Sequence, residues 1–411
     1  MVMADARHLA ILRRGVGEWN AWRQANPIVR PNLRGADLTE ADLRGANLSR
    51  VNLSWVDLSQ ADLTEADLSR ADLYDANLGA VTLRRADLTE ADLSRAYLRE
   101  ANLTGANLSR ATLIGADLWA AQMTGAELTG ADLTLACLDR AHLYGANLDG
   151  AHLRDTDLTE ADLSRANLTA AVLIGADLTR AILTETTFVS ATLDSCQVYG
   201  ITAWNVHLDD AIQTNLRITP DHEAEISVDN LETAQFLYFM LHNEKVREVV
   251  EIHPSKIVLM LGHFTPERQA VRDKLCDMLR QHEPPYLPVL FTVQGASDSN
   301  AHQNGVSLAR LAHFIIADVT DMASEADPAN VRQTLQAIVP HVQTRVLPII
   351  AEGARPDPLL DDWKFPWVLD VYGYADLDRL AAVARDAING PAEASAHEPL
   401  ASEQLVEESA D

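Results

Sequence analysis

From Leu33 to Leu208 every fifth residue of the chain is apolar. The 36 positions keep one unbroken register, and Leu fills 32 of them; Met123, Phe188, Val198 and Ala203 are the others. Two residues before each Leu stands, in most repeats, an Ala (Ala36, Ala41, Ala46), with Asp or Asn between the two. An α-helix asks for apolar residues about every 3.6 positions and a strand for simple alternation. A period of five meets neither demand. A chain that turns a corner every five residues meets it: Leu points inward from the middle of each side, the small Ala fits the narrow space beside it, and the other three side chains point out. Gly, Thr and Ser recur at the two positions after Leu, where turn chemistry is needed.

This pattern resembles the pentapeptide-repeat family, A(D/N)LXX, over residues 31–212. The resemblance implies a right-handed quadrilateral β-helix with four repeats per coil. Thirty-six repeats then make about nine coils, a rod of about 43 Å at a strand spacing of roughly 4.8 Å. Coils touch only their neighbours, so both ends need covers. Residues 4–24 predict an amphipathic helix carrying Leu9, Leu12, Val16, Trp19 and Trp22, stopped by Asn26-Pro27. Residues 1–30 are therefore expected to cap the N-terminal end, and the WNAWR segment is similar to the helix that precedes such repeats. At the other end the pattern degrades through Cys196, Val198, Ile201 and Ala203. Trp204 and Ile212 are expected to cover the last coil.

After about residue 216 the period vanishes. Residues 213–227 read as a linker, and 228–390 as an α/β domain. Its first segment, 229–250, predicts one or two helices with Asp229 or Asn230 as N-cap. Lys256–His263 is a continuous apolar run, the mark of a strand buried on both faces. Thr265-Pro266 opens a helix to about Gln281. Further strands are expected at 287–293, 313–319, 345–351 and 367–372, with helices at 306–312, 330–342 and 376–388 and a polar loop at 294–305. Alternating strands and helices make a five-stranded parallel sheet with right-handed crossovers, flavodoxin-like in order 2-1-3-4-5. Residues 391–411 carry six acids and no base, and read as a disordered acidic tail.

The segment 226–390 resembles a TIR-like domain through KIVLMLGHFTPERQAV, HFIIADVTD, QAIVP and FPWVL. Such flavodoxin-like modules are joined in bacteria to varied partners, pentapeptide repeats among them. The resemblance implies two activities. One is self-association and protein–protein signalling. The other is cleavage of NAD, or sensing of a nucleotide, as an effector of bacterial defence. Cleavage needs a glutamate on the helix after the third strand. Where relatives carry QEL this chain has Gln333-Thr334-Leu335, so Thr334 occupies the expected glutamate position, and threonine is no carboxylate at neutral pH. Glu325 is the nearest alternative, in the loop MASEADP.

Composition narrows the picture. The 411 residues include 60 acids and 33 bases, a formal net charge of −27. That balance argues against direct nucleic-acid binding and against anionic membranes, which carry the same sign. Residues 31–215 hold 27 acids and 13 arginines, or −14. Some pentapeptide-repeat proteins mimic duplex DNA and bind type II topoisomerases; interspersed arginines break up such a pattern here. Cys137, Cys196 and Cys276 form no CxxC pair, which fits a reduced, cytoplasmic setting. No secretory signal and no membrane-spanning run is evident.

Candidate sites are few. There is no GxGxxG, GxxxxGK[ST] or HExxH, and the histidines lack metal-ligand spacing. No catalytic residue, metal or obligatory cofactor is assigned. In an open parallel sheet, ligands bind at the carboxyl ends of the strands beside the switch point. That points to Gly262, His263, Phe264 and Thr265 after the first strand, and to Asp318, Thr320 and Asp321 after the third, with Arg268 and a helix N-terminus able to hold an anion such as NAD or another nucleotide. A charge-poor window at 111–138 carries outward Ile114, Trp119 and Leu135, a candidate patch for a protein partner. The expected function is cytoplasmic protein–protein interaction and signalling, with the solenoid as scaffold or recognition rod.

Overall fold

A chain that keeps only two of every five side chains inward cannot satisfy its backbone within one coil, so its amides must pair from coil to coil. The computed structural model describes residues 3–220, 223–243, 256–262, 264, 268–292, 299–320, 331–342, 344–354, 357, 360 and 365–390. The chain divides into two compact units, Met1–Val249 and Val250–Asp411.

In the first unit, parallel bridges join equivalent positions of successive coils, from Asn32↔Asn52 to Thr187↔His207. Four five-residue repeats therefore make one coil. Leu53 N donates to Asp72 O at 2.7 Å, and Asp72 N donates back to Val51 O at 3.0 Å; the same pair of bonds recurs at successive coils. Each repeat closes with a turn in which the Ala amide bonds the carbonyl of the preceding Leu, as from Ala36 N to Leu33 O at 3.0 Å. The corner residue, two after each inward position, takes the left-handed conformation, and at 27 such corners, up to Asn215, it is not glycine. Leu and Ala of the repeats are buried, apart from the half-buried Ala41, Leu208 and Ala211 near the two ends. Three polar residues stand in the Ala column, Thr156, Thr186 and Cys196. Each donates to a carbonyl of the coil below: Leu133 O, Leu163 O and Leu173 O, all at 2.8 Å. That contact lets a polar group lie in the core without being orphaned, and burial pushes the Cys196 thiol up to about 12.

The N-terminal cap is two helices, α1 (Ala6–Leu12) and α2 (Val16–Ala25), rather than one. The break falls at Gly15, whose φ of +119° ends the helical path. Together they occupy the edge that a preceding coil would pair. Asp5 N donates to Asn32 O at 2.9 Å and Asn32 N to His8 Nδ1 at 3.2 Å. Buried Trp19 donates from Nε1 to Asn47 O at 2.7 Å, Asn20 Oδ1 receives Asn47 N at 2.8 Å, and Arg23 donates to Ser49 O at 2.6 Å. The open row of peptide groups is thus closed by side chains.

The other end departs from expectation. The predicted linker holds strands. β1 (Thr192–Asp194) pairs in parallel with β2 (Ile212–Thr214); β3 (Leu216–Arg217) and β4 (Glu225–Val228) form an antiparallel pair. Val198 N donates to Arg217 O at 2.7 Å, so the chain keeps pairing with the coil below after its five-residue period has ended. Helix α3 (Leu231–His242) follows, N-capped by Asn230, whose side chain receives Thr233 N at 2.8 Å. Gln235 Oε1 accepts from Ala203 N, and Tyr238 meets Tyr199 edge-on. This hairpin and helix cover the end, whereas Trp204 and Ile212 are exposed.

The second unit holds parallel strands β5 (Ile257–Leu261), β6 (Leu287–Thr292), β7 (Phe314–Asp318), β8 (Arg345–Ala351) and β9 (Tyr372–Tyr374), in spatial order β6-β5-β7-β8-β9. β5 and β7 are buried throughout, as a strand covered on both faces must be. Helices α4 (Gln269–Arg280) and α7 (Leu377–Asn389) pack over Val258, Met260, Phe314, Ile316, Leu347 and Ile349. Helices α5 (Ser299–Leu311) and α6 (Val331–Ile338) pack on each other. Two expectations shift. Helix α5 begins at Ser299, inside the expected polar loop; the buried Leu308 and Leu311 of its second half stabilise the helix, and it extends backward through residues that carry no apolar period of their own. The fifth strand lies at 372–374, while Val368 makes only an isolated bridge to Val346.

Candidate functional site

At the carboxyl ends of the parallel strands the structure draws four segments together. Asp318, the last residue of β7, is buried, and Arg268 beside α4 reaches it from a distant part of the chain: Nη1 lies 3.1 Å from Oδ2. The other carboxylate oxygen receives Thr320 N at 3.0 Å and Thr320 Oγ1 at 2.5 Å. Thr320 Oγ1 in turn receives Ala351 N at 3.1 Å, which ties in β8. Gly262 follows β5 with φ +155°; a Cβ there would stand 2.9 Å from Asp318 Cβ, so only glycine lets the two strand ends approach. Its carbonyl receives Thr292 Oγ1 at 3.1 Å, which ties in β6. Gly262, Arg268, Asp318 and Thr320 therefore meet, with half-buried Phe264 beside Gly262. His263, Thr265, Asp321 and Glu325 lie outside the described residues.

Chemically this cluster is a clamp. Both oxygens of Asp318 are engaged, one by a guanidinium and one by an amide and a hydroxyl, so neither is left buried without a partner. A second buried carboxylate, Asp357, lies 3.4 Å from Arg332 of α6. Sequence reasoning missed that pair, since no motif and no characteristic spacing connects its members. Thr334, on the same helix, is buried. A cleft of about 210 Å³ lies away from the strand ends, between α4 and α7, where Lys274 and Asp378 form an ion pair. Among the described residues no three His, Cys, Asp or Glu side chains gather as a metal site would require, and no helix is long and apolar enough to cross a membrane.

On the rod the three candidate patch residues separate. Ile114 and Leu135 stand at the same corner on adjacent coils, where Gly115 N donates to Thr134 O at 2.9 Å. Trp119 lies at the next corner. Its Nε1 donates to Asp139 Oδ2 at 3.1 Å and the Arg99 guanidinium lies over its ring, so it is anchored rather than free.

The rod's charges are matched from coil to coil. Arg70 pairs with Glu90 at 2.8 Å, Arg140 with Glu160 at 2.9 Å and Arg165 with Glu185 at 2.8 Å, each between equivalent positions of adjacent coils; Arg180 adds to Glu160 at 3.4 Å. Hydrogen bonds from these guanidiniums hold Glu90 and Glu160 below the usual carboxylate range. The Arg44 side chain holds Asp42 at about 2. Asp139 goes the other way: burial, then the Asp157 charge, raises it.

The pentapeptide-repeat family model matches in eight copies, over residues 32–64, 66–105, 101–138, 136–173 and 161–197. Among solved structures the chain is similar to HetL, a pentapeptide repeat protein involved in heterocyst differentiation regulation from the cyanobacterium Nostoc sp. strain PCC 7120. The two are 33% identical over 49% of this chain and 97% of HetL, with a TM-score of 0.25. QnrB1, a plasmid-mediated fluoroquinolone resistance protein, is 20% identical over 44% of this chain and 92% of its own, with a TM-score of 0.30. A pentapeptide repeat protein of the Arabidopsis thaliana thylakoid lumen is 30% identical over 24% of this chain and 66% of its own, with a TM-score of 0.18. Comparison with curated proteins finds no match.

Proposed function

We propose that this chain, which belongs to the pentapeptide-repeat family, is a protein–protein interaction and signalling protein whose solenoid serves as scaffold or recognition rod for a TIR-like, flavodoxin-like module. One observation carries this reading. The rod fills most of its inward positions with Leu and Ala, holds its corners in one backbone conformation, and leaves most of its other side chains on the surface. Such an architecture displays side chains at constant spacing along its surface, which suits recognition of a macromolecule rather than turnover of a small substrate. Three free cysteines, two of them buried, are compatible with a cytoplasmic setting.

The second unit supports an associating role over a hydrolytic one. Thr334 stands where NAD cleavage would need a glutamate, and it is turned into the core. The strand-end cluster of Gly262, Arg268, Asp318 and Thr320 is the place where a nucleotide would bind, with its carboxylate already committed to Arg268 and Thr320. A DNA-mimic role against a topoisomerase draws little support, because the Arg–Glu ladders neutralise carboxylates that such a mimic would leave bare.

Affinity capture with the full chain from its native cell is expected to recover a specific protein partner; recovery of none would count against the interaction reading. Incubation of concentrated full chain with NAD is expected to release no nicotinamide, and release would replace the reading with an enzymatic one. In a gyrase supercoiling assay the chain is expected to be inert.

A further inference from the structure

One corner of the rod is unlike the others. Along it the backbone stacks Trp55 on Tyr74, Asp75 on Ser94, Arg95 on Ile114 and Gly115 on Thr134, each through an amide-to-carbonyl bond of 2.9–3.0 Å. Trp55 is 45% exposed, Ile114 38% and Leu135 62%, and Tyr97, two residues past the same corner, is 44% exposed. Between residues 31 and 140 these four are all of the exposed large apolar side chains.

A second feature is independent of exposure. Twenty-seven corner residues take the left-handed conformation without being glycine, and only two of them, Trp55 and Leu135, are large and apolar. Both lie on this corner. A left-handed conformation costs a side-chain-bearing residue about 1–2 kcal/mol. Trp55 recovers part of that through the Arg34 guanidinium, which lies 5.3 Å from its ring centre, whereas Leu135, the more exposed of the two, recovers little. Exposed apolar side chains gathered on one corner mark an interaction surface.

The surroundings say which partner. The five stacked segments 52–57, 72–77, 92–97, 112–117 and 132–137 carry Asp57, Asp72, Asp75, Asp92, Asp117 and Asp132 against Arg95; Arg34 lies over the Trp55 ring and Arg99, paired with Asp117 at 2.6 Å, over Tyr97, so acids still outnumber bases six to three. A second copy of the corner would set carboxylates against carboxylates, and a nucleic acid or an anionic membrane would be repelled in the same way. Spacing narrows the choice further. Successive corners rise by about 4.8 Å. A helix laid along the rod presents an apolar residue every three or four positions, about every 5 Å. Trp55 and Leu135 stand four coils apart, about 19 Å, which about 13 helical residues would span.

We propose that the corner running from Trp55 to Leu135 docks a basic amphipathic helix of a partner protein, a proposal that rests on the interaction reading above and specifies its surface. The probe is a synthetic amphipathic helix of about five turns, with Leu at alternating three- and four-residue spacing and Lys or Arg on both flanks. Its binding to the full chain is read by fluorescence anisotropy at two salt concentrations. Asn tolerates the left-handed conformation, so the double variant Trp55→Asn, Leu135→Asn should keep its circular dichroism and melting temperature. The expected result is binding by the natural chain that weakens with salt, weakens at least tenfold in the double variant, and is absent for a peptide with Glu on its flanks. Equal binding by both chains, or equal binding of the acidic peptide, would overturn the proposal. So would self-association of the natural chain that the variant lacks, in favour of a second copy. Affinity capture with both chains separates this proposal from the broader one: a native partner held equally by both overturns the corner and leaves the interaction reading standing.

Discussion

The rod and the strand-end cluster of the second unit handle charge in opposite ways. On the rod, Arg70 and Glu90 are both exposed and meet because every coil returns the chain to the same place. In the second unit, Arg268 and buried Asp318 are far apart in the sequence and meet only because a sheet brings two strand ends together. A repeat converts sequence spacing directly into spatial spacing, so its pairs are legible and individually weak. A sheet places its pairs by topology, so they are illegible in one sequence and costly to break.

The largest effect that comparison predicts is at Arg268. Arg268→Ala leaves Asp318 buried without its cation, and chemical denaturation should show a loss of about 3–5 kcal/mol for the transition of the second unit. Removing an exposed rod cation such as Arg70 should cost less than about 1 kcal/mol. If both substitutions cost the same, the distinction between the two kinds of pair fails. Next in size is the rod core. Leu113→Ala empties a site closed by neighbouring coils and is expected to cost about 3 kcal/mol in the transition of the first unit.

Legibility followed the same division. Every inward position of the rod was readable from the five-residue period, because no long-range choice enters it. The ends were less so. The helix break at Gly15 and the β3–β4 hairpin lie where the period stops and packing takes over, so Trp204 and Ile212 looked like a cover and are instead exposed. In the second unit, continuous apolar runs marked β5, β7 and β8 well. The start of α5 and the position of β9 were misplaced, because Ser299–Asn304 and Trp367–Val371 carry their structure through neighbours rather than pattern. At the candidate site, strand-end logic named Gly262, Arg268, Asp318 and Thr320, which do meet. It could not name Arg332 and Asp357, which share no spacing or motif. On the rod, the 20-residue coil period itself places Trp119 on a different corner from Ile114 and Leu135.

One substitution should change sign between the two regions. Ala80 stands at a left-handed corner with φ +52°. Ala80→Gly relieves that conformation and is expected to stabilise the rod by about 0.5–1 kcal/mol after the entropy of the unfolded chain is counted. Ala382 is an exposed residue inside α7, and Ala382→Gly should destabilise the second unit by about 1 kcal/mol. Melting of the two variants tests this. Equal signs would mean that the corners are not strained.

The smallest expected effect separates two carboxylates within the rod. Asp42 is exposed and held at about 2 by Arg44, whereas Asp139 is raised by burial and by Asp157. A depressed carboxylate stabilises the fold above its unfolded value, and that contribution is lost as pH falls toward about 2 for Asp42. A raised one works in reverse: its ionisation weakens the fold as pH rises above the ordinary carboxylate range. Asp139 Oδ1 is buried and makes no hydrogen bond, while Oδ2 receives the Trp119 indole. Asp139→Asn keeps an oxygen for that indole and removes the charge. At pH 7 the variant should melt about 1–2 °C higher than the natural chain. As pH is lowered to where Asp139 is protonated, the difference should close, because both side chains are then neutral. A gain that persists unchanged at low pH would place its origin in hydrogen bonding rather than in charge, and a loss at pH 7 would mean that Arg140, 3.9 Å away, already compensates the carboxylate.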